Sequence, residues 1–555
     1  MTMLGVLIVF LTISFLIGER DRRRAESEMR RKLAEAFGRP GAKEYPEGRL
    51  RELSARFGHR SDGFVIDDIT WNDLDMDLVF RSMDSTCSSA GEDHLYRLLR
   101  TPRLDASLSV SEDGMKWWTE NEQGRLDAQR ILQRLGRDSR YSIRDYLDLI
   151  DDLPERSAVK ELYAVLVPAA SLGIMFLRPA AGLICLVLSF ALNIFTYYKS
   201  KREIDPYLYV LRYVMRLLYC GRALSKEPFP FYEEEKETMR AVDRSLDSFQ
   251  KGSGILLRGN GGISSVNPLD LLLDYLCILF HVDLMKYASM SGTVRGKKEE
   301  IESLLTATGS IDAQISIASW RKSLPYYCEP CLTGRGYEVT DLIHPLLSQP
   351  VPNSISVSSP VLITGSNASG KSTFLKAAAI AAILSQSVHT APASSYRSRC
   401  CRVYTSMALR DDLTSGESYF IVEIRSLKRV LDAASEPGGV PVLCCVDEVL
   451  RGTNTTERIS ASAEILLSLS GMSMQIFAAT HDLELTELLK GIYINYHFSE
   501  TVEGDDVKFS YKLAEGPADT RNAIRLLRVM GYDDAITDRA QERAERYART
   551  GRWEL

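Results

Sequence analysis

The chain has 555 residues and a formal net charge of −6, from 68 lysines and arginines against 74 aspartates and glutamates. With 45% hydrophobic and 26% charged residues it is not a disordered chain, and it lacks the basic excess of a dedicated nucleic-acid binder. Its ten cysteines are too few for a disulfide scaffold, and its length predicts several structural units at about 150 residues each.

The mean hydropathy of −0.12 hides an uneven spread. Residues 3–17 form an apolar run with only Gly5, Thr12 and Ser14 as interruptions, followed by Glu19-Arg20-Asp21-Arg22-Arg23-Arg24. A secretory signal would carry its positive charge ahead of the run and small residues at a cleavage site behind it. The reverse order predicts an uncleaved anchor over 1–18 with its arginines in the cytoplasm. A short buried helix is the competing reading. Residues 19–63 read as a charged cytosolic linker, helical to Phe37, with a Gly/Pro loop near 38–46.

Residues 64–161 carry apolar positions at helical spacing and few turn signals, so they are expected to be helical. A second apolar block, 162–198, has Arg178 as its one charge and Pro179 beside it. Its halves, 162–177 and 180–198, approach the roughly 17–25 residues of a spanning helix, which predicts a transmembrane hairpin. The alternative is a very apolar buried hairpin. Lys199, Lys201 and Arg202 follow at once, and Lys160 precedes. The positive-inside bias then puts the N-terminus outside and residues 18–161 and 199–555 in the cytosol, a multi-pass protein of the cell membrane.

Residues 199–310 are expected to be helical again, with a glycine-rich loop at 252–262. From 311 to 515 short β-type runs alternate with helical stretches, which predicts an α/β domain. Residues 516–555 read as two helices parted near Gly531-Tyr532. The single C-x-x-C, Cys328-Glu329-Pro330-Cys331, has no second pair to complete a metal site, and none is assigned.

Gly365-Ser366-Asn367-Ala368-Ser369-Gly370-Lys371-Ser372 matches the P-loop pattern G-x-x-x-x-G-K-[ST], between the apolar run 360–364 and a helical run from Thr373. Backbone N–H groups of such a loop cradle phosphates, Lys371 reaches the terminal phosphates and the Ser372 hydroxyl ligates Mg²⁺. ATP and Mg²⁺ are therefore the expected ligands. Residues 440–446 form another apolar run ending in Asp447-Glu448, suited to metal support and water activation respectively. A third run, 475–479, ends in Thr480-His481, where a histidine could sense the γ-phosphate. Between lies Asp411-Asp412-Leu413-Thr414-Ser415-Gly416-Glu417-Ser418, which in isolation reads as a helix cap.

In order and spacing, the P-loop, Asp411-Asp412-Leu413…Ser415-Gly416…Ser418, Asp447-Glu448…Arg451-Gly452-Thr453 and Thr480-His481 resemble the ATPase domain of MutS-type DNA mismatch-repair proteins. Met83-Asp84-Ser85-Thr86 with Gly91 resembles the start of that family's helical core, and Gly531-Tyr532 to Ala540 resembles its closing helix-turn-helix. The resemblance implies an α/β P-loop ATPase domain of the MutS/ABC type, an all-α core or lever domain, and a dimer with composite sites. Gly365, Ser366, Asn367, Ala368, Ser369, Gly370, Lys371, Ser372 and Thr373 would bind ATP, with Ser372 and Asp447 on Mg²⁺. Glu448, His481 and Lys371 would be catalytic, and Gly416 with Ser418 would complete the partner's site in trans.

The sequence also departs from the family. Ser366 replaces the usual proline, Ala368 and Ser369 stand for Met-Gly, and Leu450 stands where a glycine usually precedes Arg-Gly-Thr. Mismatch readers carry a Phe-x-Glu wedge in an N-terminal domain, and no such motif precedes Asp67. Three functions compete: a membrane-anchored, ATP-dependent DNA-binding protein without mismatch specificity, an ATP-driven membrane-tethered switch acting on a protein or membrane partner, and a transporter, which fits least.

Overall fold

A computed structural model describes residues 2–46, 48–55, 63–137, 143–151, 153–154, 157–250, 275–366, 369–407, 419–436, 439–450, 453–503, 506–518, 524, 527–528 and 530–551. The chain divides into two compact units.

The first unit comprises Pro40–Met83, Tyr96–Val110 and Trp320–Leu555. Nine strands are described in it: β1 (Thr333–Leu342), β2 (Asn353–Val357), β3 (Val361–Thr364), β4 (Ser395–Arg399), β5 (Arg402–Ser406), β6 (Val442–Asp447), β7 (Met474–Ala479), β8 (Ile494–Glu503) and β9 (Asp506–Glu515). A six-stranded sheet has the order β5-β6-β7-β3-β8-β9, parallel except for β9, which pairs antiparallel with β8. An antiparallel sheet, β2-β1-β4, accompanies it.

All residues of β3, β6 and β7 are buried, as expected for parallel strands covered on both faces. Strand alternation sorts them by face. Leu362, Cys444, Val446, Ile476 and Ala478 form one core with Leu427 and Val430 of the helix Tyr419–Ala434 and Leu466 of the helix Thr455–Ser470. Phe477 meets Tyr337 of β1 edge-on at 5.1 Å, and Phe374 of the helix Lys371–Ser387 lies 6.2 Å from it. Burial pushes the Cys444 thiol up to about 12, so this strand cysteine behaves as a small apolar residue.

The segment before Met83 joins this unit through buried polar contacts of the short helix Asp68–Asp73. The Asp73 carboxylate accepts from Thr405 Oγ1 at 2.7 Å and from the Met407 N–H at 2.9 Å, and Asp75 pairs with Lys376 at 2.6 Å. The compact units cut the chain differently from the expected division. Residues 40–83 and 96–110 pack with the sheet rather than with a linker and a helical core, because amphipathic spacing states that a helix is covered and not what covers it. The expected boundary at 311 falls inside one helix, Lys298–Ser323.

The second unit, Met1–Arg39, Asp84–Leu95 and Ser111–Ser319, is helical in its described residues. The helix Thr2–Ala36 runs without a break from the apolar run into the charged one. Asp84 accepts from the Thr86 N–H at 2.9 Å, and Asp312 accepts from the Ser88 N–H at 2.8 Å, fixing the turn after Asp84. A Cβ at Gly91 would come within 2.4 Å of the Asp312 carboxylate, so the position requires glycine.

The apolar block forms the helices Tyr163–Leu177 and Pro179–Leu224, broken at Arg178. The second continues 26 residues past 198, through Pro206 and into an amphipathic half. Two helices among the described residues, Val159–Leu177 and Pro179–Ile204, are long and apolar enough to cross a membrane, and only 22% of each is buried. Within the hairpin base, Asn193 Nδ2 donates to the Ala164 and Leu279 carbonyls at 2.8 Å each. His281 bridges Glu161 and the Asn193 carbonyl at 2.9 Å each.

His344, in the sheet-bearing unit, has its pKa lowered from 6.5 to about 4 by burial, with Lys376 adding to the effect. A depressed histidine contributes stability that is complete above the unfolded pKa and is lost as pH falls from 6.5 toward 4. Between pH 6.5 and 5 this one residue should cost roughly 2 kcal/mol. Denaturant unfolding of the solubilised protein at the two pH values should record the loss, and His344→Gln should remove most of that difference.

Candidate nucleotide site

The carboxyl ends of β3, β6 and β7 lie in one row. Asp447 pairs with Ala479 and Ile363 pairs with the same Ala479, so Gly365, Glu448 and Thr480-His481 leave the sheet side by side. Ligand sites of open parallel sheets form at this edge.

The loop after β3 depends on glycine. Gly365 has φ +142°, and a Cβ there would meet the Phe498 carbonyl oxygen at 2.7 Å. Gly370, at φ +111°, starts the helix Lys371–Ser387, whose N-terminal end offers unpaired N–H groups and a favourable dipole to an anion. Lys371 is 4% exposed and donates to the Gly365 and Ser366 carbonyls at 2.8 and 2.9 Å. Ser372 and Thr373 face solvent in the first turn. Ser369 is buried, and its Oγ has no hydrogen-bond partner among the described residues.

Ser372 Oγ donates to Asp447 Oδ2 at 2.5 Å. The other carboxylate oxygen, Asp447 Oδ1, is buried and has no hydrogen-bond partner among the described residues. A buried anionic oxygen beside a serine hydroxyl is a donor set that fits Mg²⁺, a cation that prefers hard oxygen ligands. Glu448 Oε1 lies 2.8 Å from His481 Nε2, and Lys371 Nζ lies 3.3 Å from the same nitrogen. One imidazole nitrogen cannot both accept from an ammonium and donate to a carboxylate. The shorter contact assigns the Nε2 proton to the Glu448 bond.

The turn carrying Glu448 is strained. Glu448 and Leu450 have φ of +54° and +60°, each worth about 1–3 kcal/mol for a residue with a Cβ. Its backbone is held from three sides: Glu448 N–H to the Ala479 carbonyl at 2.9 Å, Ser462 Oγ to the Val449 carbonyl at 3.1 Å, and Leu450 N–H to Glu423 Oε1 at 2.6 Å. Arg458 clamps Asp482, next to His481, with two hydrogen bonds of 3.0 and 2.6 Å.

Gly365, Lys371, Ser372, Asp447, Glu448 and His481 thus come together in one cluster. Ser366 points aside, donating to the buried Glu500 at 2.6 Å. Asn367, Ala368, Gly416 and Ser418 lie outside the described residues. Sequence reasoning missed Glu423, Arg458, Asp482 and Glu500. A signal existed for Glu423, a carboxylate on the same helix face as Leu427 and Val430.

Residues 361–548 match the family model of MutS domain V. The match spans about a third of the chain, and domain V carries the ATPase function of that family. DNA mismatch repair protein MutS of Natronomonas pharaonis is 30% identical over 270 residues, covering 46% of this chain and 31% of that protein. The MutS protein of Symbiobacterium thermophilum is 33% identical over 265 residues, covering 45% and 30%. DNA mismatch repair protein MutS 2 of Haloarcula marismortui is 27% identical over 286 residues, covering 46% and 30%. The chain spans less than a third of the length of these relatives.

The orphaned oxygen of Asp447 makes the metal test direct. Asp447→Asn should raise the Mg²⁺ concentration needed for half-maximal ATP turnover by about tenfold or more. A Mg²⁺ titration reads this, and an unchanged midpoint would remove Asp447 from the metal site.

Proposed function

We propose that the chain is a membrane-anchored ATPase that hydrolyses ATP at composite sites of a homodimer and binds DNA without mismatch specificity. The observation that carries the ATPase is the cluster of Lys371, Ser372, Asp447, Glu448 and His481 at one sheet edge. Lys371 and the N-terminal end of its helix neutralise the β- and γ-phosphates. Ser372 and Asp447 would hold Mg²⁺, which when bound offsets charge on the phosphate oxygens. Glu448 takes a proton from the attacking water, and His481 orients the Glu448 carboxylate through its Nε2 proton. Gly416 and Ser418 complete the site of the partner subunit.

The membrane role is supported by the apolar helices Val159–Leu177 and Pro179–Ile204, whose surfaces expose Phe176, Leu177, Leu188 and Phe195. Exposed apolar surface on that scale needs a lipid or protein cover. The basic residues that flank the hairpin support a cytoplasmic side for the ATPase domain. The DNA role is drawn from relatives named for DNA mismatch repair. The net charge of −6 weighs against mismatch reading.

A second reading has one observation in its favour. The helix Pro179–Leu224 joins the apolar hairpin to a buried stretch containing Leu208, Leu211, Leu217 and Leu218. Motion of that stretch would be carried into the hairpin, as a membrane-tethered switch acting on a protein or membrane partner requires.

Lys371→Ala should abolish ATP binding, and Glu448→Gln should bind ATP and stall with turnover reduced at least about a hundredfold. Native turnover in both variants would overturn the site. ATP turnover of the detergent-solubilised protein, measured with duplex, branched and single-stranded DNA across salt, separates the two readings. Stimulation that fades with salt supports phosphate contacts, and indifference to all three DNAs favours the switch. Retention of the chain in the membrane pellet after alkaline extraction checks the anchor, and release would refute it.

A further inference from the structure

We propose that Glu423 is a positioning residue for Glu448, and that the helix Tyr419–Ala434 controls the water-activating carboxylate through it. The inference rests on the assignment of Glu448 above. Glu423 is 5% exposed, on the helix face that packs Leu427 and Val430 against Val446, Val449 and Leu450. A carboxylate is rarely placed in such a core, and here its Oε1 accepts the Leu450 N–H at 2.6 Å.

That N–H belongs to a backbone that ordinary residues avoid. Leu450 at φ +60° and Glu448 at φ +54° enclose Val449, and such a turn persists only when its surroundings over-determine it. A glycine at 450 would adopt this conformation freely, whereas leucine needs the turn to be held. The Ala479 carbonyl of β7 and the Ser462 hydroxyl hold its first two residues, and Glu423 holds the third. The Glu423 contact comes from a different helix, one that begins directly after the segment containing Gly416 and Ser418. A displacement of that helix along its axis pulls on the Leu450 amide and turns the Glu448 side chain relative to His481. The contact thus links the helix beside the trans segment to proton transfer and leaves the phosphate-binding loop untouched.

The test measures turnover number, KM and fluorescent-ATP binding for the full-length, solubilised protein. Glu423→Ala should lower kcat by about tenfold to a hundredfold while ATP affinity changes less than about twofold, since misplacement of a catalytic group acts on the chemical step. Glu423→Gln keeps an acceptor oxygen in place and should restore kcat to within about threefold of native. Native kcat in Glu423→Ala overturns the inference. So does an equal loss in ATP affinity, or a Glu423→Gln variant as slow as the alanine one. Glu448→Gln is assayed alongside. If it turns over at the native rate, the reading of the site has failed; if it is inactive while Glu423→Ala is native, only the role of Glu423 has.

Discussion

Everything chemical in this protein depends on the register between β3, β7 and β6. Their residues are buried on both faces, so each backbone N–H and C=O must find its partner in the neighbouring strand. That requirement pins Ile363 and Asp447 opposite the same residue, Ala479. A phosphate loop, a carboxylate pair and a histidine, spread over more than a hundred residues of chain, then leave the sheet at one level. A slip of one residue in β6 would turn Asp447 to the opposite face and part it from Ser372. The site's precision is therefore a property of the sheet, and the loops add side chains to positions the sheet has already set.

The turn after β6 has a different logic. It carries the residue proposed to activate water, yet two of its three positions have a backbone that L-residues avoid. Leucine at 450 gives the core a buried side chain where glycine would leave a gap, at the cost of backbone strain. Hydrogen bonds from β7, Ser462 and Glu423 hold the strained conformation. Such a turn is stable while all its supports are in place and responsive when one moves, which suits a residue whose activity depends on the state of its neighbours.

The legibility of the sequence follows the range of the interactions. The P-loop could be read because its chemistry is local: glycines, lysine and serine act within eight consecutive residues, between a strand and a helix. Asp447-Glu448 and His481 could be read because buried strands that end in polar residues leave a simple apolar pattern. What the sequence left hidden concerns pairs distant in sequence. Asp73 meets Thr405 and Met407, and Asp75 meets Lys376, across more than 300 residues, so no window of sequence could assign 40–83 to the sheet unit. The same limit hid Glu423, whose place on an apolar helix face was visible but whose partner, a backbone amide at Leu450, has no side-chain signature.

The hairpin brings the two kinds of constraint together. Its apolar surface says that something non-aqueous covers it, and its interior says that it is not an independent anchor. Asn193 and His281 place buried polar groups at its base, and Asn193 ties Ala164 of one helix to Leu279 of a distant segment. Buried amide hydrogen bonds of this kind are costly to leave unmade, so the hairpin and the segment around 279–283 move together or not at all. The helix Pro179–Leu224 is 46 residues long, about 69 Å at the usual rise, and its one internal proline, Pro206, lies where the apolar half meets the buried half. The helix is continuous through Pro206, so displacement of its buried half reaches its apolar half across the one point where it can bend. A simple tether would need neither the buried polar base nor the unbroken helix, and both fit an apolar segment mechanically joined to the helical unit that carries it.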